Sequence, residues 1–303
     1  MLVNCNAANR TLLALRATDG TKVWQTSAND RMTHSTPVAV TLQGMRQVIF
    51  YAQSGLVAVN PTNGTVLWRQ SVKYNGTSAA ASPVVSGNLI YASAAYNTGA
   101  LVTRIAKPGS TFTATLAMQK PFEVQSHWVT PVAFGNYVFG CYGQYQDTGT
   151  DAPFECYRMD TLELQWSQPG FGHAGAIVVR DQLLALTETG DLVLVAPDPA
   201  AYRELARFNA VTGKCWNVPA VSDGRIYVRS IKQIAVYDVA PPPPPPLRLQ
   251  PALLSDGTRL ELRASDPGGA SVDAGRASGV SLWRSPDPTA TAPVWAPVAG
   301  NWT

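Results

Sequence analysis

One segment recurs along this 303-residue chain: an alternating strand, a tight turn, then a strand ending in Trp. It reads Leu12-Leu-Ala-Leu-Arg-Ala-Thr-Asp-Gly20-Thr-Lys-Val-Trp24 and returns as Gly55-Leu-Val-Ala-Val-Asn-Pro-Thr-Asn-Gly64-Thr-Val-Leu-Trp68. A degraded copy runs from Cys156 to Trp166. Alternation on both sides of Asp-Gly or Asn-Gly predicts a β-hairpin, because Gly accepts the positive φ that a two-residue turn demands. A second segment interleaves with the first: Ser82-Pro83-Val-Val-Ser-Gly87-Asn-Leu-Ile-Tyr91, Thr130-Pro131-Val-Ala-Phe-Gly135-Asn-Tyr-Val-Phe139 and Val218-Pro219-Ala-Val-Ser-Asp-Gly224-Arg-Ile-Tyr227. Pro37 opens a looser copy, and Ile177 holds the proline's place in another. The period is therefore roughly 45 residues, with two hairpins in each.

Four short strands repeated at that spacing predict an all-β fold, a β-propeller of four-stranded blades. A helical solenoid is excluded because no 3.6-residue periodicity persists, and a plain sandwich has no fixed period. Whole blades are expected at about 33–70, 79–118, 127–168 and 172–211, with a partial blade before them and three strands at 215–239. About five to six blades are thus visible. The composition agrees: 46% apolar, only 14% charged, with 24 Gly and 23 Pro. That is too apolar for a disordered chain, too irregular for collagen and too rich in turn residues for a helical bundle.

Residues 1–240 form the expected propeller, and Pro241–Pro246 is an uninterrupted proline run, expected as a stiff linker spanning about 19 Å in polyproline II. Residues 247–303 alternate at Leu247–Gln250, Gly257–Arg263 and Gly279–Arg284, which predicts strands of a small, incomplete β-rich module that resembles the β-sandwich appended to secreted bacterial proteins. Net charge is +3 with no run of five basic residues, so nucleic acid is not an expected partner. No 18-residue apolar stretch predicts a transmembrane segment. Met1-Leu-Val-Asn-Cys-Asn has neither the basic nor the apolar region of a secretory signal.

The segment Leu56-Val-Ala-Val…Asn-Gly-Thr-Val-Leu-Trp68 resembles the repeat of the quinoprotein-like, pyrroloquinoline-quinone-repeat β-propellers. The succession Gly170-Phe-Gly-His-Ala-Gly, Gly190-Asp-Leu-Val-Leu-Val, Tyr202-Arg-Glu-Leu-Ala-Arg-Phe and Cys215-Trp-Asn-Val-Pro-Ala resembles a bacterial branch of that family. The family includes quinone dehydrogenases and a non-enzymatic outer-membrane assembly lipoprotein. The resemblance implies a seven- or eight-bladed ring, a periplasmic or extracellular location and a monomer once the ring is complete. On that count the chain is expected to be a fragment lacking one or more N-terminal blades and the export signal; the alternative is a native six-blade ring closed by both termini.

The three histidines and two tryptophans stand at one place in the repeat. His34 precedes Pro37 by three residues, His127 precedes Pro131 by four and His173 precedes Ile177 by four. Trp128 and Trp216 stand three before Pro131 and Pro219. Each leads into the first strand of a blade, which is innermost in a propeller. His34, His127, Trp128, His173 and Trp216 are therefore expected to ring one mouth of the channel, where imidazoles and indoles suit a planar ligand or a cation. The competing reading wedges the indoles between blades and has the histidines cap strand ends. No carboxylate occupies an equivalent position, so no metal is expected. Trp24, Trp68 and Trp166 close the outer strand and are expected to pack between blades.

Cys141 and Cys156 fall on adjacent antiparallel strands, where they form either a disulfide or a pair of reduced core thiols. Hydrolase and nucleotide motifs are missing: the chain has no Gly-x-Ser-x-Gly, no His-Glu-x-x-His and no phosphate loop. Quinone dehydrogenases of the resembling family use Ca²⁺ held by Glu, Asn and Asp, a stacking Trp and a pair of adjacent cysteines, and this chain has no Cys-Cys pair. The expected function is a non-catalytic recognition or scaffold propeller of the bacterial cell envelope or exterior, binding a protein or small-molecule partner at the channel mouth, with no cofactor. The alternative is a pyrroloquinoline-quinone- and Ca²⁺-dependent oxidoreductase acting on an alcohol or sugar.

Overall fold

A computed structural model describes residues 1–5, 12–27, 30–72, 79–143 and 152–239, together with the strands at 248–253, 260–265, 283–284 and 296–297. The described residues contain no helix. The chain divides into two compact units, Met1–Ala240 and Pro241–Thr303. The Pro241–Pro246 run lies outside the described residues.

The first unit is a succession of antiparallel sheets in chain order. A three-stranded sheet comes first, with β1 (Leu2–Asn4), β2 (Leu12–Leu15) and β3 (Lys22–Gln25). Four-stranded blades follow. The first has β4 (Val38–Leu42), β5 (Met45–Ala52), β6 (Gly55–Val59) and β7 (Val66–Gln70). The second has β8 (Val84–Ser86), β9 (Leu89–Ala94), β10 (Gly99–Ala106) and β11 (Thr113–Lys120). In the third are β12 (Val132–Phe134), β13 (Tyr137–Cys141), β14 (Phe154–Arg158) and β15 (Glu163–Gln168). In the fourth are β16 (Gly175–Val179), β17 (Gln182–Leu186), β18 (Asp191–Val195) and β19 (Glu204–Asn209). A last sheet holds β20 (Ala220–Ser222), β21 (Arg225–Arg229) and β22 (Ile234–Asp238). These sheets fall where the repeat predicts them.

The middle strands bury both faces, so their sequences are continuous apolar runs rather than alternating ones. Val48 and Phe50 on β5 pack toward Leu12 and Trp24 of the first sheet. Ile49 and Tyr51, on the opposite face of β5, pack toward Ile90 and Leu101 of the next blade. The pattern repeats where Tyr91 and Val102 meet Val138 and Tyr157. It repeats again where Phe139 and Phe154 meet Leu183 and Val193, and where Leu184 and Leu192 meet Val228. The first strands lie side by side: β12 packs against β8 and β16.

Two devices recur in the repeat. The pairing of the last two strands shifts register in each of the first five sheets, at Ala14/Leu15, Ala58/Val59, Val102/Thr103, Cys156/Tyr157 and Leu194/Val195. Such a bulge increases the twist that lets neighbouring sheets stack. The second device is glycine at the start of the third strand. Gly55, Gly99 and Gly190 have φ of +115°, +85° and +101°, and a Cβ on each would lie 1.8–2.2 Å from a carbonyl oxygen just beyond the fourth strand or at its end.

The repeated tryptophans fix blade to blade in two of three cases. The Trp24 indole donates to the Pro61 carbonyl of the next blade at 2.9 Å, and Trp166 donates to Asp198 O of its next blade at 2.8 Å. Trp68 instead donates to Gln47 Oε1 within its own blade at 2.7 Å, while its ring joins the core shared with the following blade.

The register corrects the disulfide expectation. Cys141 pairs with Phe154, and Cys156 pairs with Phe139, so the two thiols sit on one face but are diagonal by two residues. Diagonal neighbours are about 7–8 Å apart, beyond ordinary disulfide reach. Cys141, Cys156 and Cys215 are free thiols, and all three are buried. Burial pushes the Cys141 thiol up and raises Cys156 to about 12, so both are protonated core thiols.

In the second unit, β23 (Arg248–Leu253) pairs antiparallel with β24 (Leu260–Ser265), and β25 (Trp283–Arg284) pairs with β26 (Ala296–Pro297). The expected Asp256-Gly257 turn lies outside the described residues.

Two outcomes follow from this packing. Gly190→Ala is expected to destabilise the propeller by about 3 kcal/mol or more, through strain at positive φ and the clash with the Val211 carbonyl. Urea unfolding followed by circular dichroism checks it. A maleimide probe is expected to reach Cys141, Cys156 and Cys215 only after unfolding.

Candidate functional site

Antiparallel alternation decides which loops share an end of the propeller. The chain enters the first strand at one end, turns at the other, and comes back for the second-to-third strand turn. Segments leading into first strands therefore share an end with the turns between second and third strands.

Four of the five expected mouth residues meet there. Trp128 is the hub. His127 lies edge-on to it with ring centroids 4.4 Å apart, His173 is 4.7 Å away and Trp216 is 4.6 Å away. The two imidazoles are 6.1 Å apart. His34 stands apart: it leads into a blade two places away, is exposed, and is held by its main-chain N–H donating to the Ala79 carbonyl at 3.0 Å. The expectation of a ring through all five residues is corrected in that respect.

The structure adds three residues that the sequence reading missed. Tyr96, in the turn between β9 and β10, lies 5.1 Å from His127 and extends the row of rings. Its turn is tied to the His127 segment because Asn97 N–H donates to Gln125 Oε1 at 2.7 Å. Glu188, in the corresponding turn of the fourth blade, is buried beneath the rings. Its Oε2 accepts the His173 main-chain N–H at 2.9 Å and its Oε1 accepts the Trp216 indole N–H at 3.0 Å. Its main chain also receives Cys215 N–H and donates to Phe171 O. Lys214 completes the group, with Nζ 3.8 Å from Glu188 Oε1 and 4.4 Å from the centre of the Trp216 ring.

The glycines of Gly170-Phe-Gly-His-Ala-Gly now have a physical role. Gly172 has φ +66°, and a Cβ there would strike Glu188 Oε2 at 2.5 Å. A Cβ on Gly175 would meet Val218 at 2.5 Å and Val129 at 2.9 Å. The motif lets the segment before β16 pass closely between Glu188 and the neighbouring blades.

Tyr96 and Trp216 are 43% and 39% exposed, while His173 is only 5% exposed. The site is thus a row of rings open at both ends over a buried carboxylate. Burial pushes both histidines below their ordinary value, and the neighbouring His173 lowers His127 further. For His173 the Glu188 carboxylate opposes burial and Lys214 reinforces it. The imidazoles are therefore neutral at pH 7. Among the described residues no group of three or more His, Cys, Asp or Glu is placed to hold a metal ion.

A pH dependence follows. A histidine whose folded-state pKa is depressed takes up its proton first in the unfolded chain, near 6.5. The stability it contributes is complete above that pH and falls away below it. The urea midpoint is expected to drop as pH falls from 7.5 to 5, and the double variant His127→Gln, His173→Gln should flatten that slope.

Comparison with known proteins agrees with this architecture. Residues 1–140 match the family described as outer membrane protein assembly factor BamB. The crystal structure of BamB from Moraxella catarrhalis is similar in fold, with a TM-score of 0.53 and 16% sequence identity over 78% of this chain and 68% of that one. A search of curated proteins found no match. The repeat of residues 1–140 is thus similar to that of the BamB family model, and the sheet arrangement is similar in fold to the BamB propeller.

Proposed function

We propose that this chain is a non-catalytic recognition propeller of the bacterial cell envelope or exterior, which holds a partner protein at the aromatic mouth. The observation that carries the reading is the row Tyr96–His127–Trp128–Trp216, gathered from the second and third blades and the last sheet and exposed at both ends. Aromatic faces supply contact area at small entropic cost, and Trp and Tyr dominate protein-binding hot spots. The BamB-like repeat supports a scaffold or assembly role and an envelope location at a coarse level. No helix among the described residues is long and apolar enough to cross a membrane.

The family also includes quinone enzymes, whose cofactor needs a cation cage beside a stacking Trp. The residues at this mouth do not fit that need. Glu188 is the carboxylate present, and both its oxygens already accept hydrogen bonds, from His173 N–H and the Trp216 indole, with Lys214 beside them. A divalent cation would have to displace all three.

Two measurements test the proposal. Titration with pyrroloquinoline quinone and Ca²⁺ is expected to leave tryptophan fluorescence without saturable quenching, and stoichiometric quenching would restore the oxidoreductase. A photo-crosslinking amino acid at Trp216 is expected to trap a discrete envelope protein in cells, whereas the same group at Leu164, exposed on the outer strand, should not. Equal trapping at both positions would remove the mouth as the binding surface.

A further inference from the structure

We propose that the outer edge of the last sheet is a strand-addition site, where a partner protein lays a single extended segment along β22. This surface is separate from the aromatic mouth. The inference therefore goes beyond the recognition reading above, and either can fail without the other.

Hydrogen-bond direction comes first. Ser230 N–H donates to the Gln233 carbonyl, and Val239 N–H donates to the Gly224 carbonyl. Bonded positions alternate along an antiparallel pair, so residues 233, 235, 237 and 239 turn their main-chain groups toward β21. Ile234 and Val236 turn theirs the other way. These two residues hold the places that Leu192 and Leu194 hold in the fourth blade. Leu192 and Leu194 lie opposite Leu186 and Leu184 of the second strand, and Ile234 and Val236 lie opposite Arg229 and Tyr227. In the fourth blade that direction leads to β19, where Leu192 pairs with Phe208 and Leu194 with Ala206. In the last sheet no strand among the described residues pairs with that edge of β22.

The side chains show the same place open. Ile234 and Val236 are 76% and 52% exposed. Where fourth strands stack, as β7 does with β11, Trp68 of β7 is 5% exposed. Phe208 of β19 touches Tyr237 of the last sheet, with ring centroids 5.0 Å apart, yet remains 44% exposed. Beside β22 there is thus a slot whose wall is a row of outward main-chain groups and whose floor carries Phe208. The edge also lacks the usual guards against pairing. Ile234-Ala-Val-Tyr237 has no charge and no proline, and its pairing with β21 has no bulge.

The occupant follows from the floor. Stacked sheets lie about 10 Å apart, so whatever fills the slot sits directly over β19. In this chain β18 underlies β22, with Leu194 in the core that Ala235 and Tyr237 share. A second copy paired through its own β22 would bring its own β18 beneath that strand, into the space that β19 fills. A lone extended segment brings nothing beneath it. About five residues match the length of β22, with a large apolar side chain at an alternate position turned toward Phe208. In such strand addition the main-chain bonds supply affinity and the alternate side chains supply selectivity. The chain's own fourth strands show the pattern, as in Val66-Leu-Trp-Arg-Gln70 of β7.

The experiment titrates the full chain with a fluorescein-labelled peptide Gly-Thr-Val-Leu-Trp-Arg-Gln, the sequence of residues 64–70. Anisotropy reads binding, and amide hydrogen exchange by NMR reads its place. Saturable binding is expected, with exchange slowed at Ile234 and Val236 and unchanged at Ala235 and Tyr237, which already bond to β21. The same peptide with proline in place of its Trp is expected not to bind. Val236→Pro removes an N–H that β21 does not use, so the sheet is retained while binding weakens about tenfold or more. Phe208→Ala should weaken binding several-fold, and Leu164→Ala should leave it unchanged. Circular dichroism confirms that each variant is folded. Absence of saturable binding by the folded chain overturns the proposal, as does slowed exchange that misses Ile234 and Val236, or undiminished binding by folded Val236→Pro. If Val236→Pro does not fold, hydrogen exchange on the unaltered chain decides alone. A dimer in sedimentation that Ile234→Lys dissolves would assign the edge to a second copy and also overturn it.

Discussion

The structure depends on burial of both faces of each middle strand pair. An isolated four-stranded sheet from this chain would expose apolar side chains on both faces: Val48 and Phe50 on one side of β5, Ile49 and Tyr51 on the other. Only a neighbour on each side removes them from water, at about 25 cal/mol per Å² of apolar surface. The radial stack of sheets is therefore not an arrangement of stable units but the condition for any of them to be stable. This is the logic of repeat proteins, where interface terms between neighbours carry the fold. The indole bonds from Trp24 to Pro61 and from Trp166 to Asp198 fix how far one sheet is displaced over the next, because an indole N–H reaches only one carbonyl.

That requirement leaves the strand interiors little freedom and the loops a great deal. First-strand approaches and second-to-third turns are not needed to fill the core, so polar and aromatic residues can vary there from blade to blade. In the first blade the turn at Ser54 donates to Asp30, which Arg69 holds in a bidentate ion pair. The equivalent turn of the second blade carries Tyr96 and that of the fourth carries Glu188. One scaffold position thus serves as a structural ion pair, an exposed ring and a buried keystone in different blades.

The blades were legible because their cause is local and repeated. A period of about 45 residues, Asp-Gly turns and apolar runs are all written in short stretches, and the blade boundaries fell within a few residues of the sheets observed. The mouth was half legible. His127, Trp128, His173 and Trp216 share a repeat position, so a common offset from the first strand found them. Tyr96 and Glu188 share a different repeat position, two residues past the second strand, but their residue types differ and they reach the mouth only through the antiparallel return. That return was available as a topological rule and would have pointed to both. The Cys141 and Cys156 placement was not legible, because a one- or two-residue register choice moves a side chain from opposite to diagonal, and residue types alone leave that choice open. His34 obeyed the offset yet stands apart, since equal repeat position does not bring residues two blades distant into contact.

Glu188 links the fold to the site. A buried carboxylate costs several kcal/mol unless its oxygens are met by donors, and here each donor belongs to a different segment: His173 N–H from the approach to β16, the Trp216 indole from the approach to β20. Glu188 therefore holds two neighbouring approaches together and sets the Trp216 ring beside Trp128. The same residue thus completes the packing between the fourth blade and the last sheet and fixes the positions of the rings beside it.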